Sequence, residues 1–295
     1  MDTTKSFLVA GGDLRQVYLA EKLASKDNIV YAIGFDENIS FSDGICQLEN
    51  TIMLTDRVDY IVLPLPVSTD GVMVNAPFCR QCIPLNSLTT VLKDGGIVFG
   101  GKFNNASRKI FANSRIDTID YFDREELNVL NAVPTAEGAV QIAMEELATT
   151  IFGQKILITG FGRITKVLVK ILIGLGADVT IAARKYSDIS WAEIYGCKGI
   201  HISQLKENIS EFTVIFNTVP ALIFDEKILK LVNKDVLIID LASKPGGVDF
   251  ETAGVLGVKV VWALSLPGKV APISSGEIIA YTILNILNER GMADD

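Results

Sequence analysis

Gly160-Phe161-Gly162-Arg163-Ile164-Thr165 stands between an apolar run, Lys155–Thr159, and a stretch of helical spacing. In a strand–turn–helix unit the first glycine permits a tight turn. The second lets the backbone approach a pyrophosphate, whose charge suits a helix N-terminus. The third glycine of that pattern is Thr165 here, at a position that serves helix–strand packing and where a small residue suffices. An NAD site of this kind carries an Asp or Glu about 20 residues further on, gripping the ribose hydroxyls. This unit instead runs out in Ala182, Ala183, Arg184 and Lys185, with no acid between Val179 and Tyr186. A guanidinium matches a 2′-phosphate with forked, charge-assisted hydrogen bonds. The expected cofactor is therefore NADP(H), with Arg184 as its discriminator and Lys185 beside it. "FNTVP", Phe216–Pro220, closes a later strand, and strand ends border the cofactor crevice in open α/β sheets. Asn217, Thr218, Val219 and Pro220 join the cofactor set on that ground.

Other chemistries are thinly supplied. The chain has one histidine, His201 in "GCKGIHISQL", which reads as a surface or structural residue. Cys79-Arg80-Gln81-Cys82 is a CxxC, but a lone pair cannot fill a zinc site and no second pair follows. The four cysteines show no disulfide framework and read as surface thiols of a reducing cytoplasm.

Two α/β blocks position these residues. Strands are expected at Ser6–Ala10, Ile29–Ile33, Tyr60–Leu65 and Gly96–Phe99, then at Lys155–Thr159, Asp178–Ala182, Val214–Asn217, Val236–Asp240 and Lys259–Ala263. Strand alternating with helix implies parallel sheets covered on both faces. The fold class expected is α/β, with two Rossmann-like doubly wound parallel-sheet domains and an interdomain cleft. A final helix, about Ser275 to Arg290, is expected to pack back on the first domain. Residues 1–133 with 275–295 would form a substrate domain, 134–152 a linking helix, and 153–274 the NADP-binding domain. In the first block "GGDLRQ" lacks the third position of a nucleotide fingerprint. Asp36, ending the second strand, reads as a surface or capping residue, so no cofactor is assigned there.

At 295 residues and 49% apolar, the chain suits two domains that each bury a core. Its net charge of −8 speaks against nucleic acid, whose phosphates need a basic face. The longest apolar tract, around Val167 to Ala177, is broken by Lys170, and the N-terminus does not read as a signal peptide. A cytoplasmic protein with no membrane partner is expected.

The two-domain plan resembles the D-2-hydroxyacid dehydrogenases, in which a histidine moves the hydroxyl proton; no histidine is suitably placed here. Five segments together resemble the A subunits of dipicolinate synthase from spore-forming bacteria: "VAGGDLRQ" (Val9–Gln16), "PTAEGAVQIA" (Pro134–Ala143), "GFGRI" (Gly160–Ile164), "DLASKPGGVD" (Asp240–Asp249) and "LPGKVAP" (Leu266–Pro272). The likeness covers essentially the whole chain. It implies oxidation of a dihydrodipicolinate-type precursor to pyridine-2,6-dicarboxylate during sporulation, in the mother cell, together with a flavoprotein B subunit. A homo-oligomer is also expected.

A planar dicarboxylate needs two anion sites. Helices are expected to begin after Pro134, with Thr135 as cap, and at Ser274, whose spacing to Glu277 is that of a capping box, with Ser275 next to it. Free N–H groups there would favour a carboxylate. Lys244 in "ASKPGG" and Lys269 in "PGKVAP" are expected in flexible Gly/Pro loops that reach the ligand, and Glu137 as proton acceptor or lysine partner. Arg15 and Lys102, with Asp13 and Gln16, complete the substrate side. The competing readings are an NADP-dependent reductase of another small carboxylate, and a non-catalytic nucleotide-binding subunit.

Overall fold

The computed structural model describes residues 4–36 and 38–292. Strands β1 Ser6–Ala10, β2 Ile29–Ile33, β3 Ile45–Leu48, β4 Val58–Val62, β5 Leu92–Gly100 and β6 Asp117–Asp120 form one parallel sheet in the order β3-β2-β1-β4-β5-β6. Strands β7 Lys155–Thr159, β8 Asp178–Ala183, β9 Lys198–His201, β10 Val214–Asn217, β11 Leu237–Asp240 and β12 Lys259–Trp262 form a second, in the order β12-β11-β10-β7-β8-β9. Read from its other edge, the second order repeats the first. Each is the doubly wound order of a Rossmann-like domain, with its switch point beside the central strand, β1 or β7.

The helices are α1 Leu14–Ala24, α2 Asn105–Asn113, α3 Glu125–Glu146, α4 Arg163–Gly174, α5 Tyr186–Ile194, α6 Leu205–Asn208, α7 Glu226–Leu229, α8 Phe250–Leu256, α9 Leu266–Val270 and α10 Pro272–Glu289. The chain folds as two compact units. One runs up to Asn131 and resumes at Ala271; the other is Ala132–Val270.

In the first unit every residue of β1 is buried. Successive strand side chains point to opposite faces, so Phe7 and Val9 join a cluster with Leu19 and Leu23 of α1 and Ile279 and Ile283 of α10. Leu8 and Ala10 face the other way, against Leu85, Leu88 and Phe111. In the second unit Ile156 and Ile158 of β7 pack with Leu168, Leu172, Ala139 and Ala143, while Leu157 turns toward Phe212, Phe224 and Ile238. Burying such a side chain stabilises by about 1.5–3 kcal/mol, so β1 and β7 anchor their units.

Helix α10 packs on α1, as expected for the C-terminal helix. Lys22 reaches Glu277 at 3.1 Å, and Arg124 forks onto Glu289 at 2.6 Å through both terminal nitrogens. The strands β3, β6 and β9 were not expected from the sequence. All three are edge strands of four residues, carry polar side chains, and lack the apolar run of an internal strand. Among the described residues, no helix is long and apolar enough to cross a membrane.

Candidate functional site

The turn after β7 brings the second unit's nucleotide-type residues together. Gly160 has φ +88°, and a Cβ there would stand 2.7 Å from Thr218 Oγ1, so both conformation and space demand glycine. Thr218 donates to the Thr159 carbonyl at 2.7 Å and lies 3.2 Å from the hydroxyl of Thr165. Thr165 is fully buried, so the third motif position holds a small residue at the helix–strand contact, as its spacing suggested. Gly162 caps α4 without any side-chain hydrogen bond, and a Cβ on it would meet nothing within 4 Å. The start of this 12-residue helix therefore has neither a side-chain cap nor a neighbour crowding Gly162. That arrangement fits a pyrophosphate.

Beside this turn lies a cavity of about 290 Å³ whose walls include Gly160, Arg184, Lys185, Val219 and Asp188. Arg184 and Lys185 are exposed at its rim. The sole histidine holds that rim: His201 Nε2 lies 3.1 Å from the Arg184 carbonyl, its ring stacks on Tyr186, and its Nδ1 is 2.7 Å from Ser203 Oγ. His201 is thus structural. Phe161 turns its ring edge-on to Tyr195 at 5.6 Å, and Ile164 packs against the buried core, so both contribute packing around the loop. Arg163 opens α4, and Pro220 is exposed beyond Val219.

Asn217 departs from its expected role. It is fully buried, accepts from Thr159 Oγ1 at 2.6 Å, and donates to Asp240 Oδ1 at 2.7 Å and to the Val219 carbonyl at 3.0 Å. With the amide so engaged, it shapes the β10 end and does not face a ribose. Asp240, fully buried, also accepts from the Ala242 and Gly247 amides at 3.0 and 2.8 Å. A Cβ on Gly247 would stand 2.2 Å from Asn217 Nδ2, so only glycine brings the loop this close. Trp262 Nε1 donates to the Ala242 carbonyl at 3.0 Å. The Lys244 loop is consequently pinned at both ends, although Lys244 itself is exposed. Asp240 was not among the residues singled out from the sequence; its signal was a carboxylate at the inner end of a buried strand.

Three expectations need correction. Thr135 does not open a helix: α3 starts at Glu125 and runs through Pro134, which costs it the hydrogen bond to the Leu130 carbonyl but does not end it. Ser274 is no cap either. Helix α10 starts at Pro272, with Ala271 as N-cap, and Glu277 pairs with Lys22. Proline at the first helical position gives up an amide that has no partner there anyway. Ser274 is exposed in the first turn and Ser275 is buried against the first unit's core. Finally, Lys269 lies in the short helix α9 and not in a flexible loop. Gly138 of α3 lets α9 approach, its Cβ position 3.1 Å from Val270, so the helices carrying Glu137 and Lys269 are neighbours, with both side chains exposed.

In the first unit Arg15 is half-buried and forks onto Asp13, Nε to Oδ1 at 2.9 Å and Nη2 to Oδ2 at 2.8 Å, while Nη2 also reaches the Leu65 carbonyl at 3.0 Å. Burial pulls its basicity down, but the Asp13 contacts outweigh that and raise it. Arg15 is thereby a fixed cation, largely neutralised by its own neighbour. Lys102 has φ +55° and sets its ammonium 4.5 Å from the Phe122 ring centre. Among the described residues, the buried amide of Gln16 has no hydrogen-bond partner. The thiols also differ from expectation: Cys46 and Cys82 are exposed, Cys79 is half-buried, and Cys197 is buried.

Residues 6–122 match the family of the N-terminal domain of the dipicolinate synthase A subunit. Over 290 residues, 98% of each chain, the sequence is 29% identical to the dipicolinate synthase A subunit of Bacillus subtilis (strain 168). The crystal structure of the same subunit from Bacillus halodurans superposes with a TM-score of 0.88 at 28% identity, over 96% of this chain and 97% of that one. The Bacillus subtilis crystal structure gives 0.87 at 29% identity, over 98% and 97%. Over nearly its whole length the chain is similar in sequence and structure to the dipicolinate synthase A subunits, and its residues 6–122 match the family of their N-terminal domain.

Proposed function

We propose that the second unit binds NADP(H) and that the chain, acting as the A subunit of a dipicolinate synthase, oxidises a dihydrodipicolinate-type precursor to pyridine-2,6-dicarboxylate. The observation that carries this reading is the uncapped start of α4 opening beside a rim that carries Arg184 and Lys185. Gly160, Gly162, Arg163 and the first α4 amides hold the pyrophosphate. Arg184 and Lys185 neutralise the 2′-phosphate, outweighing Asp188 on the same wall. Val219 and Pro220 border the nicotinamide side.

Bound nicotinamide supplies the acceptor for a hydride leaving a ring carbon of the precursor. Lys244 and Lys269, one on a pinned loop and one on a short helix, attract the ring carboxylates. Glu137, or solvent, takes the ring proton; aromatisation drives that loss, so no histidine is needed. A partner subunit belongs to the reading, because the relatives are named as one subunit of a synthase; we take that partner to be the flavoprotein that the sequence resemblance implies.

Purified protein mixed with NADP⁺ and enzymatically generated dihydrodipicolinate, followed by absorbance of the pyridine product, tests the assignment. Product without a partner supports it, and loss of turnover in Lys269→Ala with retained NADP affinity places the chemistry on this chain. Product that forms only with the flavoprotein, and equally well with Lys269→Ala, favours a non-catalytic nucleotide-binding subunit. That second reading has one observation behind it: the only histidine is fixed as a rim support.

A further inference from the structure

A larger cavity lies wholly within the first unit, at the carboxyl ends of β2 and β3. It is a half-open cleft of about 850 Å³ between Gly34–Asp36 with Asn38, Gln47–Glu49 and Cys79–Gln81. We propose that this cavity is a second binding site, for an uncharged ribonucleoside whose vicinal ribose hydroxyls are gripped by Asp36.

The two units supply an internal comparison. Gly11 donates to the Ile33 carbonyl at 2.8 Å, and Gly160 donates to the Ala182 carbonyl at 2.9 Å, so the two turns share the bond that joins them to the second strand of each sheet. Counting on from those carbonyls, Asp36 in the first unit occupies the position of Lys185 in the second. It is the position at which a doubly wound sheet presents an acid to a ribose diol. The acid missing from the second unit is thus present in the first, at the mouth of a cavity. Asp36 is held there by the Arg80 amide at 3.2 Å, which leaves carboxylate lone pairs for two hydroxyls.

The same comparison excludes a phosphate. The amide of Gly12 is taken by the Asn75 carbonyl at 2.8 Å, and a Cβ on Gly11 would stand 2.6 Å from the Val74 side chain, so the Val74–Asn75 segment fills the space over the turn. The start of α1 is capped by the Asp13 carboxylate, which accepts from the Arg15 amide at 3.0 Å. An incoming pyrophosphate would meet a carbonyl and a carboxylate, whereas α4 of the second unit starts without a side-chain cap. Glu49 adds negative charge on the cavity wall. The Arg80 side chain is 91% exposed, its Nε 3.6 Å from Asp36, so solvent screens that cation and its charge is already answered by the carboxylate. Gln47 Nε2 donates to the Phe35 carbonyl at 2.9 Å, which leaves its amide oxygen, beside the Gln81 amide, for the edge of a base.

The test is calorimetric titration of the full-length protein with adenosine, 2′-deoxyadenosine and AMP, each with the wild type, Asp36→Asn and Arg184→Ala. The expected result is adenosine binding that falls about tenfold to a hundredfold in Asp36→Asn and with the deoxy ligand, the loss of a hydrogen bond to a charged group, and that is unchanged in Arg184→Ala. AMP should bind more weakly than adenosine. Crosslinking with 8-azidoadenosine should label the peptides around Gln47 and Gln81, which guards against a misfolded Asp36 variant. The proposal is overturned by no adenosine binding up to about 1 mM, by equal affinity in Asp36→Asn, or by loss only in Arg184→Ala. The last result would place adenosine on the second unit and leave the NADP reading standing.

Discussion

On the proposed reading, charge at single residues sets the cofactor preference of the second unit. Arg184 should supply about 1.5–3 kcal/mol toward a 2′-phosphate. Arg184→Ala is accordingly expected to weaken NADP(H) about tenfold to a hundredfold in a fluorescence titration, with NAD(H) affected little; equal losses would refute the assignment. Thiol reactivity follows burial in the same way. Burial pushes the Cys197 thiol up to about 11, so it holds almost no thiolate at neutral pH. Brief iodoacetamide treatment followed by mass spectrometry should modify Cys46 and Cys82 first and leave Cys197 untouched.

At the scale of elements, the ends of β10 and β11 act through one buried hydrogen-bond network. Asp240 serves Asn217, Ala242 and Gly247, and so couples the β10 end to the loop that carries Lys244. Asp240→Ala leaves those buried donors without an acceptor, at about 1–3 kcal/mol each. A lower melting midpoint is expected, and proteolysis near Ser243–Gly247 should appear before other cuts. Lys244→Ala touches no part of the network and should leave the midpoint unchanged. The pair of variants separates loop support from ligand attraction.

Across the whole molecule, pH acts through carboxylates that tie distant segments together. Asp59 accepts from the Ser6 amide and hydroxyl at 2.9 and 2.6 Å and from Lys93 at 2.8 Å, joining β1, β4 and β5. Burial pulls its carboxyl upward, but the Lys93 and Ser6 hydrogen bonds outweigh that and hold it below the usual carboxylate range. A depressed folded-state value stabilises above the unfolded value, near 3.9, and that stability is lost as pH falls through the lower folded value. Thermal midpoints measured from pH 5 down to pH 2 should therefore fall more steeply for the wild type than for Asp59→Asn.

Local chemistry made much of this molecule readable from its sequence. The ends of β1, β2, β7 and β10 match because apolar residues run unbroken between polar ones, and the Gly160 turn matches because only glycine tolerates its dihedral. Arg184 and Lys185 stood out because charge is a property of the residue. Helix starts were misplaced where tertiary packing overrode a local signal: α3 carries Pro134 because its Leu127 and its Ala136, Ala139 and Ala143 are all buried in cores. Ser274 and Glu277 have the spacing of a cap, yet Lys22 on another helix claims the glutamate. The roles of Asn217 and Asp240, and the filling of the first glycine turn by Val74 and Asn75, depend on residues far apart in the chain. Sequence sets what each residue is able to do; which partner it meets is fixed only when remote segments pack, because hydrogen bonds and excluded volume act over a few ångströms of space and not along the chain.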